Sequence, residues 1–572
     1  MGISKAVFES AGKRTEHLIP GVYSRSNNVS SSGTVSAGNL VILGHSTGGK
    51  PNTLLSFSTL AEAKDALVSG ELLNGVAHAF VPSSENRPQR VYAMRVNEGT
   101  QSSITLASGG QDILEVKAWD YGVHTNQLKL LIEAGTEDNT KKLSVAYKTS
   151  TISYDNIGKQ SFALSYIGEN TNPEVTITPT SFKANAINES SETADEITAS
   201  FTDFETVDSL VAFINDSDAW TATLIDSDSN SKTSDLDSVS NVSVTTDGTL
   251  TSNLKAFIDT LESCSYVGSV KLLSNTRVVP EDTVLYKYFT GGTAGTSDIS
   301  AWSKTLGFLE AEDIQIISTT STNSSIQNLI AQHCSDMSST ENRKERTCIL
   351  GGALGITDDD AVTIARGFNS KYVSFVADGI IASNPLTGDT ETFAPSYLAC
   401  KLAGLESSLS PSEPLTNKDV SVSGFTSIRK KSSIEKLISN GILCVNITQD
   451  NRYAVIRSLT TYQSDDLMLC ERSMVREDLY MNRDLRNRFA AGIGHVNDVS
   501  TDAIVTTLKN AAKEWRLNNY IVQNGADDVW DISVNIDGDK VYLTFSRYLA
   551  APRNFVFITS NNYTYSTTTV AV

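Results

Sequence analysis

The order of secondary-structure patterns along the chain constrains its fold more than any single motif does. Alternating strand-like and helix-like segments occupy residues 20–100 and 299–559, and residues 101–298 between them differ in character. In the first stretch, 39–43 predicts a buried strand, 58–67 a helix with Ser58 or Thr59 as N-cap, and 89–96 another strand. Such alternation predicts a mixed sheet covered by helices.

The same alternation returns near Trp302 and continues towards the C-terminus. The predicted strands are 314–317, 347–351, 372–376, 442–447 and 454–459, and the predicted helices are 325–337, 361–368, 434–439, 465–491 and 501–516. A hairpin is predicted at 532–545, because Asp537-Gly538-Asp539 has the composition of a tight turn. The predicted fold class is α/β (α+β), with one discontinuous core formed by residues 20–100 and 299–559.

The intervening residues 101–298 are rich in Thr and Ser. Short segments such as 114–119 and 128–132 alternate between apolar and polar positions, which is typical of strands. The stretch 225–235 combines acidic with hydroxyl side chains, a composition that stays solvated. We predict one or two β-rich domains inserted into the core and pointing into water, in a multidomain protein.

The charge balance argues against two classes of partner. The 572 residues include 46 Lys and Arg against 66 Asp and Glu, a formal net charge of −20. So acidic a chain repels nucleic-acid phosphates and anionic lipid. No apolar run approaches the ~18 residues of a spanning helix, and the first residues lack a signal-peptide pattern. We therefore expect neither nucleic-acid binding nor membrane insertion.

Three short motifs suggest chemistry, and each lacks a required part. Residues 44–48 match the G-x-S-x-G elbow with Ser46 as nucleophile, but no helix follows directly. Residues 44–50 approach a phosphate loop, yet Pro51 stands where a Mg²⁺-binding hydroxyl is needed. The acidic stretch from Asp226 has calcium-loop spacing without the required glycine. The six cysteines and six histidines are scattered, so we expect reduced thiols and no metal or other cofactor.

We therefore predict that the protein is not an enzyme. Two alternatives stay open from the residues alone. One is a serine hydrolase that uses the Ser46 elbow. The other is a surface adhesin whose binding head is the β-rich insert.

The predicted helix 465–491 separates apolar from basic side chains. On a helical wheel, Leu467, Cys470, Met474, Met481 and Leu485 form one stripe. Four arginines gather on the other side: Arg472, Arg476, Arg483 and Arg486. Either this is a solvated face neutralised by neighbouring acids, or it is a basic docking face for an acidic partner.

Several segments resemble contractile tail sheath proteins of myophages. Residues 441–445, 453–461 and the helix through 476–478 resemble the C-terminal region of that family, and 394–404 resembles its proline-serine-to-alanine-glycine helix. Near the start, 20–23 and 41–52 resemble the family's opening, which accounts for two of the enzyme-like motifs as one glycine-rich turn. The resemblance covers 20–100 and 300–560, and the insert has no matching motif.

The resemblance implies a structural subunit that polymerises with itself in stacked six-membered rings, as a helical homopolymer around the tail tube protein. Contraction would drive the tube through the host cell envelope for genome ejection. Baseplate and tail terminator proteins would be further partners. The subunit would belong to the virion tail sheath and assemble in the host bacterial cytoplasm. Neighbouring subunits would exchange N- and C-terminal arms, each completing a sheet in an adjacent subunit.

The residues agree with one part of this picture. The tail has high β propensity and no obvious partner strand, which suits β-augmentation of a neighbour. We assign the arms to 1–19 and 560–572, with the insert projecting outward and the arginine face binding acidic groups on the tube. The predicted inter-subunit strand uses Tyr563, Tyr565, Thr567, Thr569, Val570 and Val572.

Overall fold

The structure, a computed structural model, describes residues 6–10, 13–17, 38–226, 228, 230–244, 248–490, 492–493 and 500–565. The family-like segment 20–23 and residues 566–572 lie outside this set, and so do Thr567, Thr569, Val570 and Val572. At the N-terminal end, Ala6–Ser10 (β1) and Lys13–His17 (β2) form an antiparallel hairpin. Within the described ranges this hairpin pairs with no further strand.

The first part of the core follows the predicted alternation. Its elements are Leu40–Gly44 (β3), Leu54–Phe57 (β4), Leu60–Leu67 (α1), Glu71–Phe80 (α2) and Val91–Arg95 (β5). Thr59 is the N-cap of α1, because its hydroxyl accepts the Glu62 N–H. The strand β4 was not predicted from the sequence, since its four residues carry no alternation that distinguishes a strand from a loop.

The insert consists of two β-rich lobes, the second placed within the first. The strands before the second lobe are Ser103–Ser108 (β6), Gln111–Ala118 (β7), Leu128–Ala134 (β8), Lys141–Tyr147 (β9) and Ser150–Ile157 (β10). The second lobe contains Gln160–Tyr166 (β11), Thr171–Ile177 (β12), Ser181–Ile187 (β13), Thr193–Ser200 (β14), Val207–Asn215 (α3), Trp220–Leu224 (β15), Val239–Ser243 (β16) and Gly248–Thr251 (β17). The chain then completes the first lobe with Asn253–Ser263 (α4), Val267–Leu272 (β18) and Lys287–Tyr288 (β19).

Each lobe buries its own hydrophobic core. In the first lobe, the sheets β10-β9-β8-β19 and β18-β7-β6 enclose Val116, Leu130 and Phe257. In the second, the sheets β15-β11-β17 and β14-β13-β12-β16 enclose Phe162 and Trp220. Alternating inward-facing residues of two antiparallel sheets are the expected source of such cores.

The second part of the core carries most of its helices. The elements up to the family-like helix are Ile299–Leu309 (α5), Ile316–Thr319 (β20), Ser324–Met337 (α6), Thr347–Gly351 (β21), Asp358–Phe368 (α7), Val373–Val376 (β22), Ile380–Ser383 (β23), Thr390–Phe393 (β24) and Pro395–Ser407 (α8). The chain continues with Gly424–Phe425 (β25), Lys431–Ile438 (α9), Ile442–Ile447 (β26), Tyr453–Arg457 (β27), Leu467–Cys470 (α10) and Arg472–Ala490 (α11). The last elements are Thr501–Leu517 (α12), Ile521–Val522 (β28), Trp530–Asp537 (β29), Lys540–Ser546 (β30) and Tyr548–Leu549 (β31).

An eight-stranded sheet lies at the centre of the core, in the order β27-β26-β22-β21-β20-β3-β5-β4. The strands from β26 to β5 run parallel, and the edge strands β27 and β4 are antiparallel to their neighbours. The two chain segments on either side of the insert meet where β3 pairs with β20, with Val41 opposite Ile317. This sheet is the mixed sheet that the sequence predicts.

Helices cover both faces of this sheet, which explains why the inner strands β3, β20, β21 and β22 are buried at every position. On one face, α1, α2 and α8 bury side chains such as Val76 and Leu402. On the other, α5, α6, α7 and α9 bury side chains such as Trp302 and Ile330. Within the described residues, no helix is both long enough and apolar enough to cross a membrane.

Candidate functional site

The glycine-rich loop 44–50 lies at the carboxyl ends of β3 and β20, where the strand order reverses. In open α/β sheets this crevice is the usual ligand site. Here Ser46 is fully buried, and its hydroxyl donates to the Gly48 carbonyl oxygen at 2.7 Å. At the start of α2, the Leu72 N–H donates to the His45 carbonyl oxygen at 2.9 Å. The loop therefore fills the crevice, and the hydrolase alternative fails because Ser46 has no open approach.

The stretch from Asp226, which has calcium-loop spacing, forms contacts within the chain. The Asp226 carboxylate pairs with the Lys159 ammonium at 2.8 Å, and the Ser231 hydroxyl donates to the same carboxylate. An ammonium thus lies where a cation would have to bind. Across the described ranges, no three His, Cys, Asp or Glu side chains are grouped as metal ligands.

A cleft of about 750 Å³ lies between β27, the end of α9 and the C-terminal segment. Its walls include Ile456, Leu459 and Phe555, and no histidine is among its described lining residues. Cys470 also lines it, and burial raises the pKa of that thiol above its ordinary value. The carboxylates of Asp466 and Asp465 also favour the neutral thiol, and a neutral thiol is a poor nucleophile.

Arg472 lies inside the core rather than on an exposed face. Its side chain is 1% exposed and forms a two-pronged ion pair with Glu406, with Nε to Oε1 at 2.7 Å and Nη2 to Oε2 at 2.8 Å. The remaining guanidinium protons are donated to the Cys348 carbonyl and to the Ser374 and Thr347 hydroxyls, at 2.9 to 3.0 Å. The arginine thus joins α11 to α8 and to two strands of the central sheet.

Arg476, one turn further along α11, is bound to the same helix α8. Its Nη2 donates to the Glu406 carbonyl at 3.2 Å and to the Leu409 carbonyl at 3.4 Å, and its Nε lies 3.6 Å from the Glu406 carboxylate. Burial favours the neutral form of Glu406, but the guanidinium groups of Arg472 and Arg476 outweigh it and hold its pKa below the ordinary value. Burial lowers the pKa of Arg476 itself.

The other two predicted arginines lie nearer the surface. Arg486 is 37% exposed at its side chain, and its Nη2 contacts the Glu345 carboxylate at 2.6 Å. Arg483 is half-buried in the neighbourhood of Asp313 and Glu345, and burial lowers its pKa despite these acids. The prediction of one exposed basic face is therefore wrong for Arg472 and Arg476. The helical wheel considered α11 alone, whereas α8 and the sheet cover the start of that helix.

Sequence reasoning missed Glu406 as the partner of these arginines. The residue lies near the end of the buried helix α8, whose other charged side chain is Lys401, and 66 positions before Arg472. The available signal was the mostly apolar composition of this helix, because a carboxylate buried in such a helix requires a counter-charge or hydrogen bonds. Which element supplies it depends on tertiary packing, and helical spacing does not contain that information.

The C-terminal segment leaves the core through a small number of polar contacts. β31 pairs with β28, the Asn554 amide donates to the buried Glu471 carboxylate at 3.1 Å, and the Arg457 guanidinium lies 5.8 Å from the Phe555 ring centre. Beyond these contacts, residues 556–565 adopt no helix or strand. The strand predicted in this tail is absent from its described part.

Large apolar side chains are exposed along this segment. Phe557 is 93% and Ile558 86% exposed, and Tyr563 and Tyr565 of the predicted inter-subunit strand are 90% and 92% exposed. Contiguous exposed apolar side chains of this kind mark an interaction surface. Nearby, β29 and β30 form a hairpin that pairs with no other described strand, which leaves both of its edges available.

Three phage proteins are similar to this chain in sequence. The tail sheath protein of Bacillus phage SP01 is 25% identical over 587 residues, covering 98% of both chains. The protein assigned as a tail sheath protein in Enterococcus phage phiEF24C is 25% identical over 441 residues, covering 74% of this chain and 75% of its own. The tail sheath protein of Staphylococcus phage Twort is 22% identical and covers 79% of this chain and 84% of its own. No family model matches the chain.

Two crystal structures share the fold over most of the chain. The sheath tail protein of Listeria innocua aligns with a TM-score of 0.57 at 12% identity, covering 91% of this chain and 93% of its own. The sheath tail protein of Desulfitobacterium hafniense aligns with a TM-score of 0.51 at 13% identity, covering 92% of this chain and all of its own. Together with the phage relatives, these matches confirm the resemblance that the sequence motifs indicated.

Proposed function

We propose that this homologue of phage tail sheath proteins is a structural subunit of a contractile tail sheath and has no enzymatic role. The observation that carries the proposal is the alignment with the sheath protein of Bacillus phage SP01, which spans 98% of both chains. An alignment of that extent includes the core and the insert alike. The filled crevice at Ser46 supports a structural role, because the usual ligand site of such a sheet is occupied by the chain itself.

Subunits assemble into a helical homopolymer of stacked six-membered rings around a tube protein, and the terminal arms at 1–19 and 560–572 connect neighbours. The exposed side chains of Phe557, Ile558, Tyr563 and Tyr565 support this role for the C-terminal arm. The unpaired edges of the β29–β30 hairpin offer a sheet that an incoming arm extends by main-chain hydrogen bonds. Such head-to-tail contacts build open helices rather than closed dimers.

Within each subunit, residues 20–100 with 299–559 form the tube-side core, and residues 101–298 project outward. We do not propose Arg472 and Arg476 as tube-facing residues, because both are bound to Glu406 inside the subunit. Arg486, with its partly exposed side chain, is the better candidate on α11. Baseplate and tail terminator proteins contact the two ends of the sheath, which assembles in the host bacterial cytoplasm and remains in the virion.

Contraction uses the free-energy difference between two packings of one subunit and drives the tube through the host envelope. Interfaces between folded subunits are bistable rather than continuously deformable, so a trigger at one end propagates along the lattice. This mechanism requires no nucleotide.

Deletion of residues 561–572 tests the arm-exchange part of the proposal. The full chain is expected to polymerise at high concentration, whereas the truncated chain stays monomeric with an unchanged melting temperature, because the described part of the deleted segment, 561–565, is exposed and forms no helix or strand. Sedimentation measures polymerisation and circular dichroism measures the melting temperature. The matched control is Ile428→Ser, which removes an apolar side chain that is 74% exposed on the surface of residues 299–559. This variant is expected to polymerise like the full chain.

The possible failures of this experiment have different meanings. If both chains polymerise equally, arm exchange through 561–572 is wrong while the sheath assignment stands. If neither chain polymerises at any concentration, the sheath assignment itself is contradicted.

A further inference from the structure

Arg95 is buried at the point where the chain leaves the core for the insert. Its side chain is 0% exposed although it is the last residue of β5. Nη1 donates to the carbonyl oxygens of Gly49 and Tyr121, both at 2.8 Å, and Nη2 donates to the Ala294 carbonyl oxygen at 3.1 Å. Burial lowers the pKa of Arg95 to about 10, with the nearby Asp120 opposing the change.

These three carbonyl groups belong to three separate parts of the molecule. Gly49 lies in the core loop after β3, Tyr121 lies in the first lobe between β7 and β8, and Ala294 lies in the segment that returns to the core. One guanidinium therefore holds the core, the lobe and the returning chain together. Because its donors have a fixed planar geometry, it also sets the angles between the groups that it joins.

Two further side chains connect the same parts. The Asn97 amide donates to the Ser46 carbonyl at 3.0 Å and to the Ala294 carbonyl at 2.6 Å, and its oxygen accepts the Ser46 N–H at 3.1 Å. From the lobe, the Asp120 carboxylate accepts the Gly49 N–H at 2.8 Å and lies 3.0 Å from His124 Nε2. Both residues are buried, Asn97 at 0% and Asp120 at 9% exposure, so water competes weakly for their hydrogen bonds.

The backbone at this junction leaves no space for displacement. Gly122 has φ 132°, and a Cβ there would lie 2.2 Å from the Thr47 carbonyl oxygen. Gly295 has φ 74°, and a Cβ there would lie 2.1 Å from the Glu98 carbonyl carbon. The outgoing and returning segments also pair with each other at Thr100 and Thr293. A domain attached by two crossings is ordinarily free to move, and this junction is built to prevent it.

We propose that Arg95 is a positioning residue that fixes the angle of the insert, so that the first lobe and the core turn as one rigid body. The consequence of this fixed angle for contraction rests on the proposed sheath function: the insert moves outward together with the core, as part of the same rigid body. The fixed angle itself is a property of the single subunit and can be measured before any assembly.

The test measures the distance between lobe and core in the full chain. Spin labels are attached at Thr149→Cys in the first lobe and Thr363→Cys on α7, both exposed positions, with Cys470→Ser to remove the half-buried native thiol. Pulsed electron spin resonance on the soluble subunit then gives the distance distribution. We expect Arg95→Met to broaden this distribution about twofold, as for a domain with an unrestrained linker, and Arg95→Lys to broaden it less.

Two controls separate positioning from general loosening of the fold. Arg90→Met removes a half-buried arginine that lies 6.0 Å from the Tyr92 ring centre, outside the junction. Val373→Ala destabilises the central sheet far from the insert. Both are expected to leave the width unchanged. If Arg95→Met does not fold, Arg95→Lys carries the test alone.

Two results overturn the inference: a distribution of unchanged width in the Arg95 variants, or equal broadening in Val373→Ala. Neither result bears on whether the chain forms a sheath, which polymerisation decides separately.

Discussion

Two glutamates buried inside this protein have different surroundings. Glu406 is fully matched by the guanidinium groups of Arg472 and Arg476. Glu477 lies on the same helix α11 and is equally buried, but it has no matching ion pair among the described residues. Burial raises the pKa of Glu477 from 4.5 to about 9, and a hydrogen bond from the Ala550 backbone N–H, together with the charges of Arg476 and Arg547, reverses only part of that change. At neutral pH it is a buried neutral acid.

Glu477 therefore gives the stability of the protein a definite pH dependence. Between pH 4.5 and 9 the folded state holds a proton that the unfolded state releases, so the unfolding free energy falls as pH rises. The slope from one such group is about 1.4 kcal/mol per pH unit. Glu477→Gln is expected to match the original chain near pH 5, to exceed it near pH 8.5, and to have the flatter profile.

Urea unfolding at several pH values measures this difference, with the exposed Glu137→Gln as control. Parallel pH profiles for the original chain and Glu477→Gln would contradict a raised pKa at Glu477.

At the scale of elements, periodicity predicted most of the core correctly. The strands at 347–351 and 442–447 coincide with β21 and β26, because apolar runs between polar turns define buried strands without tertiary information. The helix predicted at 465–491 is interrupted at Glu471, whose backbone leaves the helical region. At the interruption the backbone pairs with the segment after β27: Glu471 forms a β-bridge with Leu459, and the Arg472 N–H donates to the Ser458 carbonyl oxygen.

The C-terminal tail shows a limit of predicting strands from β propensity. Its β propensity predicted a strand, whereas the described residues 556–565 have none. A strand requires a partner edge, and propensity does not indicate whether that edge lies in the same chain. The buried arginines escaped prediction for a related reason, because their surroundings depend on contacts between segments that are distant in the sequence.

The α8–α11 contact makes a quantitative prediction. Arg472→Met leaves Glu406 buried with one arginine fewer, which is expected to lower the unfolding free energy by about 3–5 kcal/mol. In the Arg472→Met background, Glu406→Gln is expected to lower the unfolding free energy much less than it does in the original chain, because the two residues form one network. Arg486→Met, which removes a guanidinium that is 37% exposed from the Glu345 carboxylate, is the control and is expected to cost less than Arg472→Met, because water reaches this arginine.

Denaturant unfolding of the four variants, including Glu406→Gln alone, measures these energies. An Arg472→Met chain as stable as Arg486→Met, or strictly additive losses in the double variant, would show that the buried ion pair does not join the two helices.

At the scale of the whole molecule, the net charge of −20 describes a surface more than a fold. The solvated insert accounts for long acidic and hydroxyl-rich stretches, while the arginines of α11 are largely bound to acids of the same chain. Two features of the described residues suit contacts with other copies: an exposed apolar C-terminal segment and a hairpin that pairs with no other described strand. In the proposed sheath, both are covered by neighbouring subunits.

Electron cryomicroscopy of the purified protein at high concentration is the decisive test of the proposed sheath function. We predict hollow helical tubes of six-membered rings, in which the segment after Asn554 of one subunit lies against the β29–β30 hairpin of another. A protein that remains monomeric at every concentration, or that forms only closed dimers, would contradict the assignment as a sheath subunit.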